Sequence, residues 1–338
     1  MTGRGHLMAA EIAEIPGVID RQLRENLDSY LALGRSWATE PPVFFATCAR
    51  GTSDQAALFF KYLTEIGTGI PVASLGPSLG STFGGSLRMT GAAMLAISQS
   101  GASPDLAALT RKAAAGGAST VALLNTLDSP LGRIADKALP LAAGPELAVA
   151  ATKSFVASLV AVTAIHAGQT GNHALEDELV SLPAILRAQT GGPELDLRPL
   201  AQARRLFCLG RGLSLAIAGE AALKFKETCL LAAEGASSAE FRHGPLALAD
   251  KDTAALVFLL DDATRPGTES LIETLNDRGA TVIVSAEGAG AAPHALRHPA
   301  TQAIAAITRV YAAIHRLAVS LGLDPDVPPH LVKATLTE

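Results

Sequence analysis

Apolar and polar positions alternate along this chain on two length scales. Short runs of Val, Ile, Leu and Ala are each followed by a stretch of about ten to fifteen residues whose apolar positions recur at helical spacing. In VFFATCARGTSDQAALFFKYLTE (Val43 to Glu65) an apolar run, a Gly51-Thr52-Ser53 turn and an amphipathic helix follow in order. RLFCLGRGLSLAIAGEAALKFKE (Arg205 to Glu227) gives the same succession around Ser214, at an offset of 161 residues from Ser53. At that offset AAMLAISQSGASPDLAALTRKAAAGGASTVALLN faces AALVFLLDDATRPGTESLIETLNDRGATVIVSA, each reading strand, polar turn, helix, Gly-Ala, strand. The pattern predicts an α/β chain of two related units, each a parallel sheet covered by helices on both faces in three layers. Such sheets bind ligands outside the carboxyl ends of their strands, where the polar turns lie. The joint is placed near Gly191-Gly192-Pro193, after a helix from about Glu176 to Gln189. Residues 1–24 then form an amphipathic N-terminal segment, 25–190 the first unit, 191–326 the second and 327–338 a C-terminal tail.

Composition narrows the class. A chain of 338 residues exceeds the size at which one core stops growing, about 250 residues, which agrees with two units. Hydrophobic residues make up 49% and charged ones 17%, a balance that fits a well-buried α/β protein and not a disordered one. The net charge of -5 and the lack of a Lys/Arg cluster argue against nucleic acid as a partner, so an anionic substrate has to be met by local donors. Cys48, Cys208 and Cys229 are odd in number and lack CxxC spacing, which predicts buried thiols instead of a disulfide framework or zinc site. The longest apolar run, Ser154 to Ala167, is too short to span a bilayer, and MTGRGHLMAAEIAEIPG has no long apolar signal region. A cytoplasmic location without membrane attachment is the expectation.

Two constellations bear chemistry. Glu220, Lys224 and Glu227 stand at i, i+4 and i+7, and about 100° of rotation per residue brings them to one side of a helix. The same spacing describes an exposed Glu-Lys ladder worth about 0.2–0.5 kcal/mol per pair. His243 with Gly244-Pro245 closes the segment, and a carboxylate, an amine and an imidazole beside one pocket are the parts needed to move protons on carbon. The second constellation is Ser98-Gln99-Ser100-Gly101-Ala102-Ser103, which follows a strand and opens a helix, with Ser53 in the turn before it. Hydroxyls and free backbone N–H groups at a helix start hold phosphate because that end is partly positive. Ordinary capping uses the same residues, but two such turns at adjacent strand ends favour phosphate. The aligned turn of the second unit, Leu259-Leu260-Asp261-Asp262-Ala263-Thr264, presents carboxylates that repel an anion. Neither a GKS/GKT loop nor a GxGxxG fingerprint is present, so nucleotide is not expected.

Taken in order, several motifs together resemble the sugar isomerase (SIS) family, and within it the isomerase half of glutamine–fructose-6-phosphate aminotransferase. They are His6-Leu7-Met8 through Ile15-Pro16, Gly51-Thr52-Ser53, Ser98-Gln99-Ser100-Gly101, Ala143-Gly144-Pro145-Glu146 with Ala151-Thr152-Lys153, Glu220-x3-Lys224-x2-Glu227, Phe241-Arg242-His243-Gly244-Pro245-Leu246 and Leu331-Val332-Lys333-Ala334. The resemblance covers nearly the whole chain and implies tandem flavodoxin-like SIS domains. It also implies roles. Ser53, Ser98, Gln99, Ser100 and Ser103, with Gly51 and Thr52, would hold a sugar phosphate, and Val149 would line the sugar. Glu227 would shuttle a proton between C1 and C2, and Lys224 and Glu220 would contact sugar hydroxyls or the enolate-like charge. His243 would open the ring, and Lys333 would form a Schiff base with a ketose carbonyl. In the family this histidine comes from a neighbouring subunit, which implies a homodimer with His243 shared across the interface.

The departures matter as well. The chain opens Met1-Thr2-Gly3 and not with the nucleophilic N-terminal Cys of a glutaminase domain, so it is not expected to release ammonia from glutamine. A double SIS chain of this kind resembles a catabolic glucosamine-6-phosphate deaminase, yielding fructose 6-phosphate and ammonia with no metal or other cofactor. Ala151 stands where the synthase usually has Ser, which leaves the sugar open. A deglycase or isomerase on another amino- or fructosamine-sugar phosphate, a synthase subunit fed by a separate glutaminase, and a sugar-phosphate sensor are the alternatives. A sensor predicts a DNA-binding helix-turn-helix or a degenerate catalytic face, whereas Glu220, Lys224, Glu227, His243 and Lys333 are all present.

Overall fold

The computed structural model describes residues 3–189, 194–286 and 296–333; the Gly191-Gly192-Pro193 joint and Ala334 lie outside them. The described residues form two compact units, one of 17–146 with 153–180, the other of 3–16, 147–152 and 181–333. The chain opens with helix α1 (His6–Thr39), longer than the 24-residue segment read from its sequence.

In the first unit the chain continues through β1 (Phe45–Cys48), α2 (Thr52–Thr68), β2 (Val72–Ser74), the single turn α3 (Ser78–Ser81), β3 (Ala93–Ser98), α4 (Pro104–Ala115), β4 (Ser119–Leu124), β5 (Lys137–Pro140) and α5 (Lys153–Thr170), into α6 (His173–Gln189). The strands form a wholly parallel sheet in the order β2-β1-β3-β4-β5. β1 and β3 are buried at every position, as expected where helices cover both faces. Residues alternate between those faces. Ala46, Cys48, Met94 and Ala96 pack on Leu106, Leu109 and Ala113 of α4. Phe45 packs on the other side, edge-on to Trp37 of α1 at 4.8 Å and to Phe60 of α2 at 5.4 Å between ring centroids. The apolar run Ser154 to Ala167 lies in α5, which is buried from Lys153 to Gln169, and an all-round apolar helix belongs in such a place.

The second unit repeats this plan with β6 (Arg205–Gly210), α7 (Leu213–Cys229), β7 (Ala233–Ser237), β8 (Thr253–Leu259), α8 (Arg265–Asp277), β9 (Thr281–Ala286) and α9 (Pro299–Ser320). Its parallel sheet has the order β7-β6-β8-β9, the same as β2-β1-β3-β4 without a counterpart of β5. Phe207, Leu209, Ala255 and Val257 pack on Leu271 and Leu275 of α8. The repeat extends to the backbone at the Gly-x-Ser turns. Gly51 before α2 has φ 53°, ψ -128° and Gly212 before α7 has φ 61°, ψ -128°. A residue with a Cβ is strained there, so each turn needs its glycine.

Candidate active site

In the first unit the strand order reverses at β1 and β3, neighbours that pair Cys48 with Ala96, and ligand crevices of such sheets open at this point. The turn after β1 is closed by Ser53 N donating to Arg50 O at 3.1 Å and Asp54 N to Gly51 O at 3.0 Å, which leaves Thr52 and Ser53 on the first turn of α2. In the turn after β3, Ser98 Oγ accepts from Gly101 N at 3.0 Å and Ser100 Oγ from Ala102 N at 3.2 Å. The amides of Gly101 and Ala102 are therefore bonded within the turn, and Pro104 at the start of α4 has no N–H. What remains is a cradle of hydroxyls. Ser98 and Ser100 accept from the turn and retain their own protons to donate, while Ser103 stands at the N-cap without serving as a side-chain cap. Ser98 is buried, whereas Gln99, Ser100 and Ser103 are half-buried.

Arg50 and Asp105 complete the cradle and were not read from the sequence. Arg50 Nε and Nη2 donate to Asp105 Oδ2 at 2.9 and 2.5 Å, and Asp105 Oδ1 accepts from Leu106 N at 2.8 Å. The bridge ties the turn after β1 to the first turn of α4, holding the two hydroxyl-bearing turns in one frame. The Asp105 side chain is wholly buried and that of Arg50 is 48% exposed, so a cation stands at the rim and balances the buried carboxylate. Burial pushes the Asp54 carboxyl above its ordinary range, with Arg50 working against the rise.

The equivalent turns of the second unit are closed on themselves. Ser214 Oγ accepts from Arg211 N at 2.8 Å and donates to Arg211 O at 3.0 Å. Asp262 Oδ1 accepts from Thr264 N at 2.7 Å and Thr264 Oγ1 at 2.6 Å.

That unit instead supplies acid–base groups. Glu220, Lys224 and Glu227 share one face of α7, and this face is no exposed ladder: Glu220 and Lys224 have no exposed side-chain surface and Glu227 has 20%. Lys224 Nζ pairs with Glu227 Oε2 and lies 3.5 Å from Glu220 Oε1. Tyr311 of α9, buried and unforeseen, donates its hydroxyl to Glu220 Oε1 at 2.8 Å. Glu227 is thus the end of a buried charge array that reaches solvent. His243 is exposed on a 3₁₀ turn (Glu240–His243) after β7, anchored by its neighbour Phe241, whose ring packs edge-on against Phe207 at 4.9 Å. Lys333 is half-buried and donates through Nζ to Ala148 O at 2.6 Å, next to Val149. The structure therefore groups Glu220, Lys224 and Glu227, brings Lys333 to the Val149 loop, and places His243 on a turn of its own.

Residues 45–167 and 199–318 each match the profile of the SIS domain. The chain belongs to the SIS-domain family. Among curated SIS-domain relatives it is 34% identical over 361 residues to glutamine–fructose-6-phosphate aminotransferase (isomerizing) of Halobacterium salinarum, covering 100% of this chain and 60% of that protein. The enzyme of the same name from Streptomyces coelicolor is 32% identical, with 99% and 60% covered. The chain thus spans about three fifths of the length of these relatives. Among solved structures, a protein of Silicibacter pomeroyi provisionally described as a phosphosugar isomerase superposes with a TM-score of 0.84 at 38% identity, covering 95% of this chain and 99% of that one. Glucosamine-6-phosphate deaminase of Thermotoga maritima shares the fold, with a TM-score of 0.79, 20% identity and 98% and 100% covered. Among the described residues no helix is long and apolar enough to cross a membrane, and no group of three or more His, Cys, Asp or Glu is placed to hold a metal ion.

Proposed function

We propose that this SIS-domain protein is a phosphosugar isomerase acting as a deaminase, converting glucosamine 6-phosphate and water to fructose 6-phosphate and ammonia. Glu227 carries the proposal: a rigid helix holds it with one flank against a buried ammonium and the other open. His243 opens the ring to the free aldehyde. Glu227 removes the proton from C2, the C1 oxygen takes a proton to give an enolamine, and Glu227 returns its proton to C1. Lys333, as the free amine, adds to the imine at C2 and expels ammonia, and water hydrolyses the resulting Schiff base to the ketone of fructose 6-phosphate. The hydroxyls of Ser53, Ser98, Ser100 and Ser103 donate to the phosphate, and Lys224 balances the charge that develops on oxygen. The exposure of His243 supports a homodimer in which it serves the partner's site.

Ammonia and fructose 6-phosphate measured together, from purified protein and glucosamine 6-phosphate without glutamine, test this reading; equal amounts of both products are expected. Glu227→Gln should lower kcat by about 10²- to 10⁴-fold with little change in KM. Binding of the sugar phosphate without ammonia release would overturn the deaminase. A fructosamine phosphate is then the substrate to assay next, because Ala151, in the half-buried loop beside Val149, offers a sugar no hydroxyl.

A further inference from the structure

The segment from Asp324 to Lys333 contains no helix or strand, yet it is fastened at defined points. Asp326 is 5% exposed. Its Oδ1 accepts from Met8 N at 2.8 Å, its Oδ2 accepts from Leu7 N at 2.9 Å, and His6 Nδ1 lies 3.2 Å from Oδ2. Asp324 Oδ1 accepts from Gly5 N at 2.9 Å. These are the amides that the first turn of α1 leaves without helical partners, and a carboxylate is favoured at that positive end. Approach is close: a Cβ on Gly5 would lie 2.6 Å from His315 Nε2 and 2.8 Å from Pro325 Cγ.

The same two turns of α1 also hold the loop against which Lys333 rests. Glu11 Oε1 accepts from Leu147 N, and from Ala148 N at 3.4 Å. Val149 N then donates to Asp326 O at 3.4 Å, and Lys333 Nζ to Ala148 O at 2.6 Å. Loop and tail are joined to one helix end by Glu11 and Asp326, and to each other by two further bonds.

We infer that Asp326 is a positioning residue for the reaction, the cap on α1 that fixes the tail so that Lys333 stands beside the Val149 loop. The catalytic consequence depends on the role proposed above for Lys333; the placement of the tail does not. Neither the Glu220–Lys224–Glu227 array nor the hydroxyl cradle bonds to Asp326, so its loss should act on the step that Lys333 serves and leave substrate capture unaltered.

The test combines two readouts on the full chain. Acetic anhydride labelling of the free protein, read by mass spectrometry, should show Lys333 reacting several-fold faster in Asp326→Ala than in the wild type, with the other lysines unchanged. Turnover of glucosamine 6-phosphate should fall in kcat by about 100-fold, the cost of misplacing a reacting group by about 1 Å, with KM nearly constant. The double variant Asp326→Ala, Lys333→Ala should be no slower than Lys333→Ala alone. Should Asp326→Ala fold poorly, Asp326→Asn keeps one acceptor for the α1 amides and should show a smaller effect in the same direction. Unchanged labelling of Lys333 overturns the inference even in an active enzyme, and so do losses that multiply in the double variant. If the wild type turns over no glucosamine 6-phosphate, the proposed reaction fails and labelling alone decides for or against the cap.

Discussion

A lysine with no exposed side-chain surface needs anions beside it, and Lys224 has two. Breaking such a buried array by removing its cation costs about 3–5 kcal/mol, because the remaining charges are left uncompensated. Lys224→Met should therefore lower stability by about that amount in urea unfolding as well as abolish turnover. Glu220→Gln, which keeps an oxygen for the Tyr311 hydroxyl, should cost less. Glu227→Gln, at the solvated end, should cost activity with little stability. If Lys224→Met unfolds at the wild-type urea concentration, the array is not a buried charge cluster. These three residues were legible because helical spacing puts them on one face within eight positions. Tyr311 was not, since a Tyr among Ala and Ile on a buried helix is indistinguishable from core until its partner, 91 residues away, is placed. Arg50 with Asp105 and Asp326 with Met8 are hidden for the same reason, being 55 and 318 residues apart.

At the scale of elements, the long apolar runs declared themselves and the short edge strands did not. β7, AEGAS, has no apolar run to announce it and is buried only at Ala233, because an edge strand buries less of itself than a central one. α6 begins at His173 and not near Glu176, where Asn172 Oδ1 accepts from Leu175 N at 3.1 Å. α1 and α5 meet through glycines in a way that no single-helix pattern reveals. A Cβ on Gly34 would land on Ile165 O and 2.6 Å from Gln169 N, and one on Gly168 would meet Leu31 O and Cα. Ala in place of Gly inside a helix gains about 1 kcal/mol of intrinsic propensity. Here the new methyl meets backbone, which cannot rotate away, and overpacking of about 1–3 kcal/mol or more wins. Gly34→Ala and Gly168→Ala are each expected to lower Tm by several degrees in a calorimetric scan. A raised Tm for either would mean that the helices are not in close contact at these glycines.

For the whole molecule, the 161-residue repeat was the most legible feature, since it needs only like elements in like order, and both sheets carry it. The divergence of the units was legible in outline. Serines in one turn and aspartates in its counterpart differ in charge at sight, whereas the closing of Ser214 onto Arg211 depends on the backbone path of the folded turn. Both units bury their thiols, and this bears on how the protein tolerates alkali. Burial pushes the Cys48 thiol up to about 12, with Asp105 adding to the rise, and pushes Cys229 up to about 11. Cys208 and the Tyr30 hydroxyl are raised by burial too. An unfolded thiol loses its proton near pH 8.5. Above that pH the unfolded chain releases protons that the folded chain still holds, so this contribution to stability is complete below about pH 8.5 and is lost as pH climbs toward the folded values. The urea midpoint should accordingly fall between about pH 9 and 11, and Cys48→Ser should make the fall shallower. At pH 8 a thiol reagent such as dithiobisnitrobenzoate should label the native protein only at its unfolding rate, and all three cysteines at once in denaturant. Rapid labelling of Cys48 in the native protein at pH 8 would mean that β1 opens to solvent, and the cradle at its carboxyl end would then lack the rigid strand that positions Ser53.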